Sequence, residues 1–141
     1  MEFIWPVRVY YEDTDSGGVV YHSNYLNFME RARTEWLRTL DLEQDEIIKK
    51  YGIVFVVSAL SINYLKPALF NDLLQVKSTL KKLTRASIVF EQSIVRANKN
   101  AGDEILTHGE VKVVSFNQYK KRPAAFPESI YNNFIGLKNA T

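Results

Sequence analysis

One long amphipathic segment, followed by a series of long β-like segments, most constrains how this chain can fold. Residues 24–40 place apolar side chains at helical spacing, which predicts a single amphipathic helix. Residues 53–65, 73–83, 87–96 and 105–116 are rich in β-branched and aromatic residues and predict four long strands. Only one long helix is therefore available to cover a whole sheet.

The connections between the predicted strands are short and contain turn-forming residues. Pro67 and the Asn-Asp pair at 71–72 mark one turn, and the polar residues 98–103 form the clearest hairpin connection. Short connections make neighbouring strands antiparallel. We therefore expect one antiparallel sheet formed mainly by consecutive strands.

Three shorter elements complete the predicted α+β fold. They are a first strand over 7–13, a helix over 43–51 that ends before Gly52, and a closing helix over 127–137. The economical architecture is a single domain, 1–141, with a curved antiparallel sheet of about five strands around one long central helix. Such a sheet leaves long edge strands, so we expect two or more copies to pair edge to edge as a homo-oligomer, either a dimer or a dimer of dimers.

The composition excludes several classes of protein. A net charge of +2 is too small to indicate nucleic-acid binding, and the absence of cysteine excludes disulfides and thiolate metal sites. No apolar run approaches the ~20 residues of a membrane-spanning helix, and the first fifteen residues lack the pattern of a signal peptide. We therefore expect a cytoplasmic protein.

The chemically informative stretch lies between the first strand and the long helix. Its turn places Asp13 and Asp15 beside Gly17 and Gly18, directly before the helix begins near residue 23 or 24. A carboxylate can attack a carbonyl or activate water, and the start of a helix offers unpaired N–H groups to an oxyanion. If the first strand stays extended into the turn, the two acids point to the same side.

Other interpretations of this turn are weaker. Turns commonly contain Asp, Ser and Gly, so the composition alone indicates no chemistry. A calcium loop would need further oxygen ligands, but Val19, Val20 and Tyr21 follow instead. A phosphate loop would need a Lys-Ser or Lys-Thr pair after the glycines, and none is present. Apolar residues at these positions indicate that the turn lines a dry pocket.

Residues 13–25 read DTDSGGVVYHSNY, and residues 30–33 read ERAR. This pattern resembles the hot-dog-fold acyl-CoA thioesterases, within them the 4-hydroxybenzoyl-CoA thioesterase family and particularly its Tol-Pal-associated branch. Weaker matches extend the resemblance over about residues 7–127. It implies a hot-dog fold, hydrolysis of acyl-CoA thioesters to free acid and coenzyme A, no cofactor beyond the coenzyme A of the substrate, and an association with the Tol-Pal system.

The resemblance also implies a role for individual residues. Asp15 corresponds to the catalytic carboxylate, and the sequence does not distinguish a nucleophile from a general base. A backbone N–H at or next to His22 corresponds to the oxyanion donor, and its ring is a second candidate acid or base. The predicted substrate-binding residues are Gly18, Val19, Tyr25, Glu30, Lys66, Arg85 and Ser87.

The basic residues and Glu30 each have a separate rationale. Coenzyme A carries phosphates, so a basic rim is expected, for which Lys66 and Arg85 are candidates together with the hydroxyl of Ser87. Glu30 lies at the border of the apolar face of the helix and is the reserve catalytic carboxylate, because some hot-dog thioesterases take theirs from the helix.

Two further functions remain open from the sequence. A hot-dog dehydratase or hydratase would need a histidine paired with an acid, which His22 with Asp15 or Glu30 could provide. A nucleic-acid or protein-binding module is suggested by the 13% aromatic content, but the aromatic residues follow core-like periods and are not interleaved with basic ones. The acyl group, and the choice between coenzyme A and acyl carrier protein, stay open.

Overall fold

The computed structural model describes residues 2–98, 100 and 102–140. Their elements, in chain order, are β1 (Phe3–Arg8), α1 (His22–Arg38), α2 (Gln44–Tyr51), β2 (Ile53–Tyr64), β3 (Leu73–Leu83), β4 (Ser87–Arg96), β5 (Glu104–Asn117), β6 (Arg122–Pro123) and α3 (Glu128–Asn139). A single 3₁₀ turn over Tyr11–Asp13 lies between β1 and α1. Residues 99 and 101 of the predicted 98–103 connection lie outside the described residues.

All pairings in the sheet are antiparallel, and the strand order is β1-β3-β4-β5-β2, with the two-residue β6 added to β5. The four long predicted strands are confirmed to within one residue at each end. The edge strand β2 is 12 residues long, one of its edges is unpaired within the chain, and several of its apolar side chains are exposed. The expectation of a long edge strand is therefore confirmed.

The apolar face of α1 forms the centre of the core. Phe28 and Met29 are fully buried there against inward-facing side chains of the sheet such as Val76 and Ile94. Burying a side chain of this size contributes roughly 1.5–3 kcal/mol. The prediction that one helix covers the sheet is confirmed, although α1 begins at His22 and ends at Arg38, slightly earlier than expected at both ends.

A glycine on β5 allows α1 to approach the sheet closely. A Cβ atom at Gly109 would lie 2.5 Å from the carbonyl oxygen of Ser61 and 3.3 Å from Cε of Met29. The first contact is with backbone of the neighbouring strand β2, which cannot rotate away as a side chain can. Any larger residue would therefore push β2 or α1 outward.

Helix α3 closes one end of the sheet through aromatic contacts. The rings of Phe126 and Phe134 are 5.2 Å apart and nearly perpendicular, and Phe55 of β2 packs against both. Helix α2 ends, as predicted, at Gly52, whose φ of 66° is left-handed and favours glycine.

The predicted first strand over 7–13 is wrong in its position. Strand β1 lies earlier, at Phe3–Arg8, and pairs with β3, while the chain from Tyr11 to Asp13 turns. The cause is a side-chain hydrogen bond, since the N–H of Tyr10 donates to Oδ2 of Asp13 at 2.8 Å. Local Asp-to-backbone bonding of this kind competes with strand pairing.

We expect Gly109→Ala to lower the free energy of unfolding by about 1–3 kcal/mol, because the added Cβ overpacks the contact between α1, β2 and β5. The matched control is Gly136→Ala in α3, where a Cβ meets nothing within 4 Å and alanine favours the helix. Urea unfolding followed by circular dichroism measures both. Equal stability of the two variants would contradict the close approach.

Candidate active site

The turn before α1 is a tight reversal fixed by backbone hydrogen bonds. The N–H of Asp15 donates to the carbonyl of Val19 at 2.9 Å, and the N–H of Gly18 donates to the carbonyl of Asp15 at 3.0 Å. Thr14 and Val20 form the bridge below it. Gly18 has a φ of 80°, in the left-handed region that favours glycine. The turn therefore holds Asp15 near its tip.

The two acids of the turn lie in different surroundings. Asp13 is 8% exposed, and its carboxylate accepts hydrogen bonds from the N–H of Tyr10 and from the side-chain amide of Asn24, at 2.8 and 3.1 Å. Asp15 is exposed, and only its Oδ1 accepts a hydrogen bond among the described residues, from the N–H of Gly17 at 2.8 Å. The condition for both acids to point to one side was an extended chain over residues 7–13, and it is not met, because Tyr11–Asp13 form a 3₁₀ turn.

The start of α1 presents backbone N–H groups without acceptors. Tyr21 precedes the helix, and its side chain makes no capping hydrogen bond. The N–H of Tyr21 donates to the carbonyl of Asp13 at 3.0 Å, and that of Asn24 returns to Tyr21. Between them, the N–H groups of His22 and Ser23 donate to no acceptor within the described part of the chain. They carry the positive end of the helix dipole.

A cavity of about 210 Å³ opens beside this helix start. Its lining consists of Val19, Val20, His22, Tyr25, Tyr64, Leu65, Lys66 and Pro67. The hydroxyl of Tyr64 donates to the carbonyl of His22 at 3.2 Å, and its ring lies 4.9 Å from the imidazole. The wall opposite the helix is therefore the end of β2 and the segment that follows it.

A buried tyrosine fixes the segment after β2 against the helix. The N–H of Ala68 donates to the hydroxyl of Tyr25 at 3.0 Å, and the carbonyl of Ala68 accepts the N–H of Val20 at 3.0 Å. Burial raises the pKa of the Tyr25 phenol, so it stays protonated at neutral pH. Tyr25 thereby connects α1, the turn and the outer wall of the cavity.

Ion pairs fix the same segment from the sheet side. Arg96 at the end of β4 donates to the carboxylates of Asp72 and Glu104 and to the carbonyl of Pro67, at 2.9, 2.7 and 2.7 Å. Lys66 pairs with the other oxygen of Glu104 at 2.9 Å. Hydrogen bonds from Lys66 and Arg96 hold the pKa of Glu104 below its usual value. Lys66 is therefore held at the rim of the cavity.

The fold brings most of the predicted site residues together at this end of the molecule. Val19, His22, Tyr25 and Lys66 line the cavity, and Asp15 and Gly18 lie on the adjoining turn.

The other three predicted residues lie elsewhere in the chain. Glu30 is two turns further along α1, where its carboxylate accepts the hydroxyl of Thr34 at 3.1 Å. Arg85 and Ser87 lie at the start of the 10-residue β4, about 30 Å from its Arg96 end. The guanidinium of Arg85 stacks over the ring of Tyr131 at 4.6 Å. Within one chain, Arg85 and Ser87 therefore lie at the other end of β4 from the residues around Arg96.

The sequence did not indicate a buried polar group behind α1. Arg33 donates to the side-chain carbonyl of Gln92 at 2.9 Å, and the amide of Gln92 donates to the carbonyl of Met29 and the hydroxyl of Ser78. All these groups are buried. Arg33 lies within the ERAR pattern, but only the tertiary contact with β4 reveals that its side chain points inward.

Comparison with known proteins identifies the family. The model of the thioesterase superfamily matches residues 17–102. An acyl-CoA thioesterase YbgC from Haemophilus influenzae is 44% identical, with 96% of each chain covered. An acyl-CoA thioester hydrolase YbgC from Escherichia coli O6:H1 is 43% identical, with 94% of this chain and 95% of the relative covered. This chain belongs to the thioesterase superfamily.

Solved structures agree with this assignment. A probable thioesterase from Bartonella henselae superposes with a TM-score of 0.81 at 31% identity, covering 90% of this chain and 100% of that one. A 4-hydroxybenzoyl-CoA thioesterase bound to 4-hydroxybenzoyl-CoA has a TM-score of 0.85 at 18% identity, covering 94% and 96%, which shows the shared fold. The predictions of a hot-dog fold and of a thioesterase are confirmed. None of the described helices is long and apolar enough to cross a membrane.

We expect Tyr25→Phe to lower the free energy of unfolding by about 1–3 kcal/mol, because the buried N–H of Ala68 loses its acceptor. Catalytic efficiency should fall with it, since the segment after β2 forms a wall of the cavity. Tyr131→Phe is the control, because within the described residues the Tyr131 hydroxyl makes no hydrogen bond. Thermal unfolding and thiol release measure the two effects. Unchanged stability of Tyr25→Phe would contradict the proposed link between α1 and the segment.

Proposed function

We propose that this thioesterase hydrolyses acyl-CoA thioesters to a free acid and coenzyme A, with Asp15 as the catalytic carboxylate. The observation that carries the proposal is the pairing of an exposed acid on a rigid turn with two unpaired N–H groups at the start of α1. The relatives named as acyl-CoA thioesterases, at 43–44% identity over most of the chain, support the substrate class. A cavity with apolar walls lies next to both groups.

The N–H groups of His22 and Ser23 serve as the oxyanion hole. When the thioester carbonyl oxygen lies in front of them, these donors stabilise the negative charge that develops on it. One such donor contributes roughly 3 kcal/mol to catalysis in enzymes where it has been removed. The alignment of the N–H groups with the helix axis adds the positive end of the dipole at the same point.

Asp15 can act by two routes, which the geometry leaves equivalent. Its free oxygen attacks the carbonyl carbon, the C–S bond breaks to release the thiolate, and water hydrolyses the resulting anhydride. Alternatively, the carboxylate takes a proton from water, the hydroxide oxygen attacks the carbonyl carbon, and the thiolate leaves and is protonated. Both routes use only the carboxylate, backbone N–H groups and water, so we propose that no cofactor takes part.

We assign the imidazole of His22 a pocket-lining role. Its ring contacts the rings of Tyr21 and Tyr64, and no carboxylate forms a hydrogen bond with it in the part of the chain that is described. A dehydratase would need a histidine oriented by such a partner. This difference favours hydrolysis, carried out by the backbone of His22.

The proposed enzyme is a homodimer formed along β2. This edge strand carries exposed apolar side chains on both faces, Val56 on one and Val57 and Leu60 on the other, each between 42% and 47% exposed, which is unusual for a strand that faces water. Pairing two β2 strands would continue the sheet across both copies and cover the flank of α1. In such a dimer, Arg85 and Ser87 of the second copy become candidate ligands of coenzyme A, together with Lys66 at the cavity rim. A Tol-Pal association stays a prediction.

We expect Asp15→Asn to lower kcat for acyl-CoA hydrolysis by at least about 100-fold with no change in unfolding temperature, because the carboxylate is exposed and makes one local contact. Asp13→Asn is the matched control, since it alters a buried acceptor of two hydrogen bonds and should lower stability. Thiol release and thermal unfolding are measured for both. Full activity of Asp15→Asn would overturn the assignment and leave Glu30 as the alternative carboxylate.

We expect Leu60→Asp to shift the protein from dimer toward monomer, because two carboxylates would face each other across the paired edges. Sedimentation velocity at several concentrations measures the shift. The control is Ile105→Asp on β5, whose apolar side chain is similarly exposed, at 50% against 47%, away from the β2 edge. A Leu60→Asp protein that sediments like the wild type would contradict assembly through β2.

A further inference from the structure

A second cavity lies at the opposite end of α1 from the proposed oxyanion hole. It has a volume of about 90 Å³ and is enclosed by the flank of α1, the inner side of β2 and the aromatic cluster beneath α3. Most of its wall is apolar, with Leu37, Phe55 and Phe126 among the lining residues. Arg33 is also part of the wall. A buried cation in such surroundings needs a physical explanation.

Arg33 has no anionic partner among the described residues. Its side chain is 9% exposed, and its one hydrogen bond joins Nη1 to the neutral amide carbonyl of Gln92 at 2.9 Å. It forms none of the salt bridges found in the described part of the chain. Glu30, one turn away, interacts with it only over a longer distance and accepts the hydroxyl of Thr34. The remaining N–H donors of the guanidinium are therefore available to the cavity.

An isolated buried charge is costly, and burial lowers the pKa of Arg33 from its usual value. Even a buried ion pair is often no more stabilising to the folded protein than a well-packed apolar residue, so stability alone does not explain a cation at this position. The position of Gln92 is itself fixed, because its amide donates to the carbonyl of Met29 at 3.0 Å and to the hydroxyl of Ser78 at 2.9 Å. The chain thus holds a cation in a defined place, and no carboxylate of the described residues forms a salt bridge with it.

The two cavities lie along the same flank of α1. His22, Leu26, Glu30 and Arg33 follow one another at spacings of three and four residues, which places them on one side of the helix. The strand β2 runs beside this side, since its early residue Phe55 lines the Arg33 cavity and its last residue, Tyr64, lines the His22 cavity. We call the space between this side of α1 and β2, from one cavity to the other, the groove.

The groove has the dimensions of an acyl chain. Arg33 follows His22 by eleven residues, which is about 16 Å along the helix axis, and its side chain points back toward the helix start. Between the two cavities lies the inner side of β2, where Leu60 is 47% exposed. An apolar chain attached to a thioester at the helix start would pass along this wall and end near the guanidinium.

We infer that Arg33 binds a carboxylate at the far end of the acyl group, so that the preferred substrates are thioesters of medium-chain dicarboxylic acids. The inference rests on the proposed function, because it takes the start of α1 as the position of the thioester. The apolar wall of the groove accommodates the methylene chain, and the carboxylate supplies the charge that the buried guanidinium lacks. Glu30 is exposed at the edge of the cavity, and its carboxylate repels other anions. An anionic group is therefore bound in the cavity only where it contacts Arg33 directly.

The test compares pairs of acyl-CoAs of equal chain length that differ only at the far end. Glutaryl-, adipoyl-, suberoyl- and sebacoyl-CoA are each measured beside the corresponding straight-chain monoacyl-CoA. We expect one chain length at which the dicarboxylic member has a kcat/KM about 10- to 100-fold above its partner, the effect of one buried charge-assisted hydrogen-bonded pair. A preference for the methyl-ended member at every length would overturn the inference.

Variants at Arg33 locate the preference. Arg33→Met should abolish it, so that the ratio of kcat/KM between the dicarboxylic and the methyl-ended member falls to about one, and Arg33→Lys should retain part of the preference because the charge remains. The matched control is Arg31→Met on the same helix, since Arg31 is exposed and contacts the ring of Phe28 outside the cavity. Equal losses on both members of a pair in Arg33→Met and Arg33→Lys would show a structural role and overturn the inference.

Binding without turnover separates this inference from the proposed function. Thioether analogues of suberoyl- and octanoyl-CoA, which cannot be hydrolysed, are titrated into the wild type and Arg33→Met by calorimetry. Tighter binding of the carboxylate-ended analogue, lost in Arg33→Met, sustains the inference even if no thioester is hydrolysed, in which case the proposed hydrolysis fails. Equal binding of both analogues overturns it even if hydrolysis is found. If Arg33→Met changed the sedimentation of the dimer without changing the selectivity, Arg33 would instead pair with a carboxylate of a second copy, and the inference would be overturned.

Discussion

The packing of α1 into the concave side of the sheet is the contact on which the other features depend. Its buried face contributes the centre of the core, and Gly109 lets the helix lie close to β5 and β2. Because the helix is fixed along its whole length, its two ends become fixed points in space. The start presents N–H groups beside an apolar cavity, and a buried guanidinium lies near the other end. A chain with a loosely held helix could not keep these two points in fixed positions relative to β2.

The turn before α1 places its two acids, Asp13 and Asp15, in different surroundings within three residues. Asp13 uses its carboxylate to hold Tyr10 and Asn24, and so joins the end of the first strand to the helix. Asp15 keeps one carboxylate oxygen without a partner among the described residues, because the turn directs it to solvent. The left-handed conformation at Gly18 completes a reversal that a residue with a side chain would adopt only with strain. A rigid turn lowers the cost of holding a reactive carboxylate in one orientation.

The cavity wall opposite α1 is held by polar contacts from two directions. Tyr25 fixes it from the helix, and Arg96 fixes it from the sheet through Asp72, Glu104 and the carbonyl of Pro67. These groups are partly screened by solvent, so each ion pair adds little to stability by itself. Their effect is on shape, since together they limit where the segment after β2, and Lys66 on it, can lie. The shape of the cavity at this end therefore depends on residues that do not line it as well as on those that do.

Periodicity and turn chemistry are local properties of the chain, and they predicted the helix, the four long strands, their antiparallel pairing and the motif of the family. They did not predict the strand order, in which β2 pairs with β5 and not with the next strand, β3. The sequence by itself could not locate β1 or show that Asp13 is buried while Asp15 is exposed, because both depend on the hydrogen bond that the Asp13 carboxylate accepts from Tyr10. It did not reveal that Arg33 is buried, since only contact with Gln92 on β4 shows which way that side chain points. It predicted Arg85 and Ser87 as substrate-binding residues, and the length of β4 places them about 30 Å from Arg96 within one chain. Contacts between residues far apart in the chain decide burial, charge pairing and distance, and these are fixed only when the sheet closes around the helix.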